Sequence, residues 1–236
     1  MGPLDVAEYK RYLVTRKKKP ATVNRALASI RSFFSWAVGE RLAGSNPAGS
    51  AKSVKSAAQA PKALDRKEQL ALVRAVQRKG DKRDVAIVTL LLHTGMRVSE
   101  LCALDVGDVV LNERSGSATV RHGKGGKRRE VPLNATARRA LKAWLEERGG
   151  GPGPPLFTSR RGGGITPRGV EYMVARYAYD ARLEDVTPHT LRHAFCKQLI
   201  DAGESLDRVA VLAGHASLNT TARYARPTVK DLARLY

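Results

Sequence analysis

Hydrophobic positions along the chain fall mostly into helical periods. A first amphipathic stretch covers about Leu4 to Thr15. A second begins at Thr22, which follows Pro20 and Ala21 and is placed to cap it. In it Val23, Ala26, Leu27, Ile30, Phe33, Phe34, Ala37 and Val38 recur at steps of three and four, which predicts one continuous apolar stripe. The cationic run Arg16 to Lys19 separates the two helices. From Gly44 to Pro61 the periodicity disappears and Gly, Ser, Ala, Lys and Pro dominate. That composition predicts a flexible linker, taken as residues 49–61, between a domain at 1–48 and a larger one at 62–236.

The larger domain opens with Asp65 as the cap of a helix through Leu70, Val73 and Val76. Val85 to Leu92 is apolar on nearly every side and predicts a buried central helix that ends at Gly95, with a short helix from Val98 to Leu104 after it. Asp108–Leu111, Ala118–Arg121 and Arg128–Leu133 read as three short strands, turning at Asn112–Gly116 and Gly123–Lys127. Asn134 then caps a helix that turns Ala137, Leu141, Trp144 and Leu145 inward. Thr166-Pro167 and Thr187-Pro188 each supply a cap followed by proline at the first helical position, and Ser205 begins a further helix through Leu206, Val209 and Leu212. The pattern predicts a mainly α protein with a small antiparallel β-sheet, an α+β fold.

Charge narrows the function. Forty-two Lys and Arg against 22 Asp and Glu give a formal net charge of +20. A field of that size attracts polyanions, nucleic acid before anionic membrane. No segment reaches the roughly 18 uninterrupted apolar residues of a membrane span, and the N-terminus lacks a signal-peptide pattern, so a cytoplasmic location is expected. Cys102 and Cys196 sit in apolar helical contexts and read as core residues in a reducing compartment. No ligand set has zinc-site spacing, so no metal and no cofactor is expected.

Several polar groups then stand out. Arg97 directly follows the apolar helix, where its charge needs an anionic partner, either a neighbour such as Glu100 or a ligand. His189 and Arg192 are three apart in the first turns of a helix, on one face. Cations there oppose the helix dipole, and a bound anion would account for them. Lys124 lies in the glycine-rich turn Gly123-Lys124-Gly125-Gly126-Lys127; taken alone it is an ordinary loop lysine. His215 closes Leu212-Ala213-Gly214-His215, and Tyr224 follows nine residues later. As a set these groups suit phosphoryl transfer. Guanidinium forks match non-bridging phosphate oxygens, a tyrosine hydroxyl can attack once cations lower its pKa, and a lysine can protonate the leaving oxygen.

These residues, in their order and spacing, resemble the tyrosine recombinases, the phage-integrase and Xer group. The resemblance runs from Asp65 almost to the C-terminus and rests on Thr94-Gly95-Met96-Arg97-Val98-Ser99-Glu100-Leu101, His189-Thr190-Leu191-Arg192-His193, and Leu212-Ala213-Gly214-His215 with Tyr224. It implies that Arg97 and Arg192 clamp the scissile phosphate. Lys124, more than Lys127, would be the general acid, His189 and His215 would assist, and Tyr224 would form a 3′-phosphotyrosyl link without metal or ATP. Thr22-Val23-Asn24-Arg25 and Arg31-Ser32-Phe33-Phe34 resemble the end of the family's helical core-binding domain, SAM-like and short here. The implied partner is double-stranded DNA in the nucleoid. The implied assembly is a monomer free in solution and a homo-tetramer on paired sites, docked through a C-terminal helix with Val229, Leu232 and Leu235 on its edge. A type IB topoisomerase-like enzyme and a non-catalytic DNA-binding protein of the same fold are the rival readings.

Overall fold

Two units make up the computed structural model, Met1–Gln59 and Ala60–Tyr236. It describes residues 1–55, 62–78, 81–121, 128–148, 155–160, 162–214, 218–222 and 225. In the first unit α1 (Pro3–Thr15) and α2 (Pro20–Gly39) pack through Val6, Leu13, Val23 and Leu27. α2 starts two residues before the expected Thr22 cap. Pro20 takes the first helical position, where its missing N–H and fixed φ cost nothing, and Lys19 stands at the cap without a side-chain bond. The expected stripe is buried at Val23, Leu27 and Ala37, but Phe33 is 57% exposed and lies edge-on to Phe34 and tilted on Trp36.

Residues 48–54, which composition assigns mainly to a flexible linker, are pinned to the first unit. Ala48 is buried, with Ala51 and Val54 packed against the same cluster. Arg31 donates to the carbonyls of Ala48 (3.2 Å) and Ala51 (2.8 Å). Asn24 pairs with Val54 in both directions, at 2.9 and 2.7 Å. Side chains of α2 thus satisfy a backbone whose own side chains are too small to show periodicity.

The second unit is helical around one buried helix, as expected. α3 (Arg66–Arg78) begins with a reciprocal box: Asp65 accepts from the Glu68 amide at 2.9 Å, and Glu68 accepts from the Asp65 amide at 2.7 Å. α4 (Lys82–Thr94) is buried at every position from Ala86 to Leu92. Asp84, fully buried on it, is held by Arg83 (3.0 and 2.8 Å) and the Tyr177 hydroxyl (2.9 Å), which ties α4 to α7 (Pro167–Asp180). α5 (Val98–Cys102) is shorter than predicted and leads through a 3₁₀ turn, Val106–Asp108, into the sheet.

Strands β1 (Val109–Leu111), β2 (Gly116–Val120) and β3 (Arg129–Pro132) form an antiparallel meander in the order β1-β2-β3. Ala118 pairs with Val109 on one side and Val131 on the other. Ala118, Val120 and Val131 face the helical core beside Leu90, Leu91, Leu141 and Trp144. Each large apolar side chain buried there is worth about 1.5–3 kcal/mol. α6 (Ala135–Arg148) starts with the Ala137 amide on Asn134 Oδ1, 2.9 Å. Thr166 and Thr187 cap α7 and α8 (Pro188–Asp201) with their hydroxyls, as predicted. Ser205 stands at the cap of α9 (Leu206–Ala213) without such a bond, and α10 (Leu218–Ala222) follows. Among the described residues no helix is long and apolar enough to cross a membrane. Among the same residues no three His, Cys, Asp or Glu cluster as metal ligands.

Candidate active site

The end of α4 organises the site. Gly95 caps it in the left-handed region, φ 60°, and a Cβ there would lie 2.3 Å from the Phe195 ring. Only glycine satisfies both the dihedral and the approach of α8. That approach carries Arg192 to the Gly95 carbonyl, to which its Nη1 donates. Arg192 is only 2% exposed, and it is the largest fully buried side chain among the described residues. A guanidinium cannot shed its charge, so a buried one marks a place built around anions and carbonyls.

Two residues beyond Gly95, Arg97 stands at the N-cap of α5. Its Nη1 donates to Glu100 Oε1 (2.7 Å), and its Nη2 crosses 117 residues of sequence to the Gly214 carbonyl (2.7 Å). The expectation that Arg97 needs an anionic neighbour is met by Glu100, and the guanidinium stays 29% exposed. Glu100 also receives Arg129 as a fork, Nη1 to Oε1 at 2.9 Å and Nη2 to Oε2 at 2.8 Å, and the Arg97 amide at 2.8 Å. Burial alone would raise this carboxyl. The hydrogen bonds from Arg129 and the Arg97 amide, with the charge of Arg129 and the Arg97 side chain, hold it down at about 2.

Gly214, the αL cap of α9 at φ 67°, is the second glycine the geometry demands. A Cβ on it would sit 2.7 Å from the Arg129 guanidinium carbon. His215 is the next residue in the chain. Segments near positions 95–100, 129, 192 and 213–214 therefore meet at one corner.

His189 lies in the first turn of α8, three residues before Arg192, on the exposed side. Its ring packs on His193, centroids 4.1 Å apart at 62°. Thr187 accepts from the Thr190 amide at 3.2 Å and fixes that turn. Of the residues singled out from sequence, Arg192 is bonded to the Gly95 carbonyl two residues before Arg97, and His189 sits on the helix that brings Arg192. Lys124, Lys127, His215 and Tyr224 lie outside the described residues, as does the tail from 226 to 236. β2 and β3 pair with Val120 opposite Arg129.

Sequence reasoning missed Arg129 and considered Glu100 only as a partner for Arg97. A signal for Arg129 was present: it is two residues from the buried Val131 on a strand, hence on the core-facing side. An arginine on that face needs an internal anion.

Comparison with known proteins gives the family. The pattern of the phage integrase family matches residues 62–231. The tyrosine recombinase XerC of Myxococcus xanthus is 35% identical over 266 aligned positions, spanning 99% of this chain and 88% of the relative. XerC of Thermodesulfovibrio yellowstonii is 39% identical over 236 positions, spanning 94% and 77%. Among solved structures, the XerH site-specific recombinase bound to its difH substrate in a pre-cleavage complex superposes with a TM-score of 0.77 at 25% identity, covering all of this chain and 70% of that one. The chain belongs to the phage integrase family: it is a tyrosine recombinase, an enzyme of site-specific DNA recombination.

Proposed function

We propose that this recombinase cleaves and rejoins DNA through a 3′-phosphotyrosyl link at Tyr224, with Arg97 and Arg192 binding the scissile phosphate. One observation carries the reading: Arg192, 95 positions on in sequence, is bonded to the α4 cap two residues before Arg97, whose own side chain reaches the segment leading to His215. Their donors suit the charge that builds on non-bridging oxygens during displacement at phosphorus. The Tyr224 oxygen attacks phosphorus, the bond to the 5′ oxygen breaks, and Lys124 gives that oxygen its proton. His189 and His215 assist proton transfer and charge stabilisation. Religation reverses the step, with a 5′ hydroxyl attacking and tyrosine leaving, so the bond energy is kept and no ATP is consumed.

The partner is double-stranded DNA, which the net charge of +20 favours; the solved XerH relative is bound to its difH substrate. The protein works in the nucleoid, monomeric when free and as a homo-tetramer on paired sites through residues 226–236. The first unit, with residues 48–54 packed into it, acts as a short core-binding domain joined to the catalytic domain at 62–236. A synthetic Holliday junction built from the protein's own recombination site tests strand exchange. Resolution into paired duplexes is expected. Relaxation of supercoiled DNA with no junction resolution would instead indicate a topoisomerase-like enzyme, and binding without either activity a non-catalytic DNA-binding protein.

A further inference from the structure

We propose that Arg129 is a positioning residue for cleavage: through Glu100 and Gly214 it holds Arg97 and the approach to His215 in register with the strand that follows Lys124. The inference rests on the reading above that Arg97 contacts the scissile phosphate.

The Glu100 carboxylate takes four donors on its two oxygens: Arg129 Nη1 and Nη2, Arg97 Nη1 and the Arg97 amide. An ionised carboxylate has about four acceptor positions, so this one is saturated. Its side chain is 3% exposed and that of Arg129 is 16% exposed. Arg129 also reaches toward the Ala213 carbonyl (3.5 Å), while Arg97 holds the Gly214 carbonyl. Gly214 has no Cβ, and one would collide with the Arg129 guanidinium at 2.7 Å. Arg129 thus bonds the carboxylate that fixes Arg97 and lies beside the glycine whose carbonyl Arg97 holds, and it does so from the first residue of β3.

Charge gives the arrangement a purpose beyond packing. Arg97 and Glu100 alone would form a neutral pair, leaving Arg97 little attraction for a phosphate. With Arg129 the group carries a net positive charge, so Glu100 orients Arg97 without cancelling it. A buried ion cluster is weak evidence of added stability, since desolvation offsets the attraction. Orientation of one partially exposed guanidinium is the better account of it.

The test uses the full chain and a nicked duplex that traps the covalent adduct, its site selected by the protein from a randomised DNA library. Single-turnover adduct formation at saturating DNA, the DNA Kd and the melting temperature are measured for Arg129→Ala, Arg129→Gln, Arg129→Lys and Arg97→Lys. Arg129→Gln keeps volume and an amide donor and serves if the alanine variant does not fold. The rate at saturation should fall on the order of 100-fold in the alanine and glutamine variants, as for a small misplacement of a reacting group. Their Kd should stay within about threefold, and Arg129→Lys, which restores the charge but not the two-pronged bond, should recover part of the rate. In an Arg97→Lys background, Arg129→Gln should cost little more, because the two act through one group. A folded Arg129→Gln with normal rate, a loss confined to Kd, a lysine variant no better than glutamine, or the same loss in both backgrounds would overturn the proposal. Arg97→Lys by itself separates the two levels. A normal rate there removes the phosphate role of Arg97, whereas a slow Arg97→Lys beside a normal Arg129→Gln removes only the role of Arg129.

Discussion

At the scale of single residues, the site is governed by what buried charges require. Arg192 is enclosed and bonded to the carbonyl of a glycine cap, and Arg97 is half-enclosed and held by Glu100 and a second glycine carbonyl. Glu100 titrates at about 2, against 4.5 for an ordinary glutamate. Because its folded pKa is depressed, its contribution to stability is complete above about pH 4.5 and is lost as pH falls toward 2. Glu100→Gln should therefore lower stability near neutral pH by up to about 3 kcal/mol. Thermal melts at successive pH values should show the difference between the two proteins shrinking below pH 4.5. A difference that stays constant down to pH 3 would mean the carboxylate is not held by its arginines.

At the scale of elements, the end of α4 decides where the catalytic candidates go. Gly95 stops the helix in the left-handed region and admits the Phe195 ring, so α8 can bring Arg192 to it. Gly95→Ala adds the cost of a left-handed alanine, about 1–2 kcal/mol, to an overpacking cost of about 1–3 kcal/mol. A loss of about 2–5 kcal/mol in chemical denaturation is expected, partly recovered by Phe195→Leu. A change under 1 kcal/mol would show that α8 does not depend on this contact. These elements were legible in the sequence because each has a strong local signal. α4 is apolar all round, Thr166-Pro167 and Thr187-Pro188 announce α7 and α8, and Asp65 and Asn134 cap as their types prefer. Residues 48–54 were not legible, since Asn24 and Arg31 from another element hold them. Arg129 was hidden for a similar reason. Its partner Glu100 is 29 residues away, and only the pairing of β2 with β3 and their packing on the core bring the two together.

At the scale of the molecule, a small first unit and a larger helical one with a three-stranded sheet carry a net charge of +20 and belong to the tyrosine recombinases. The fold class could be read from periodicity alone. The chemistry could not, because no single residue among Arg97, Lys124, His189, Arg192, His215 and Tyr224 is unusual by itself. Only their order along the chain, and then the bond of Arg192 to the α4 cap two residues before Arg97, distinguishes them from ordinary polar residues. The central claim is the covalent link at Tyr224. The most direct measurement incubates the protein in EDTA with a duplex nicked next to its cleavage site and resolves the products on a denaturing gel. A slow-migrating protein–DNA adduct with the wild-type chain, absent for Tyr224→Phe although that variant still binds the DNA, is the result this account predicts. An adduct that persists in Tyr224→Phe would place the nucleophile elsewhere and contradict it.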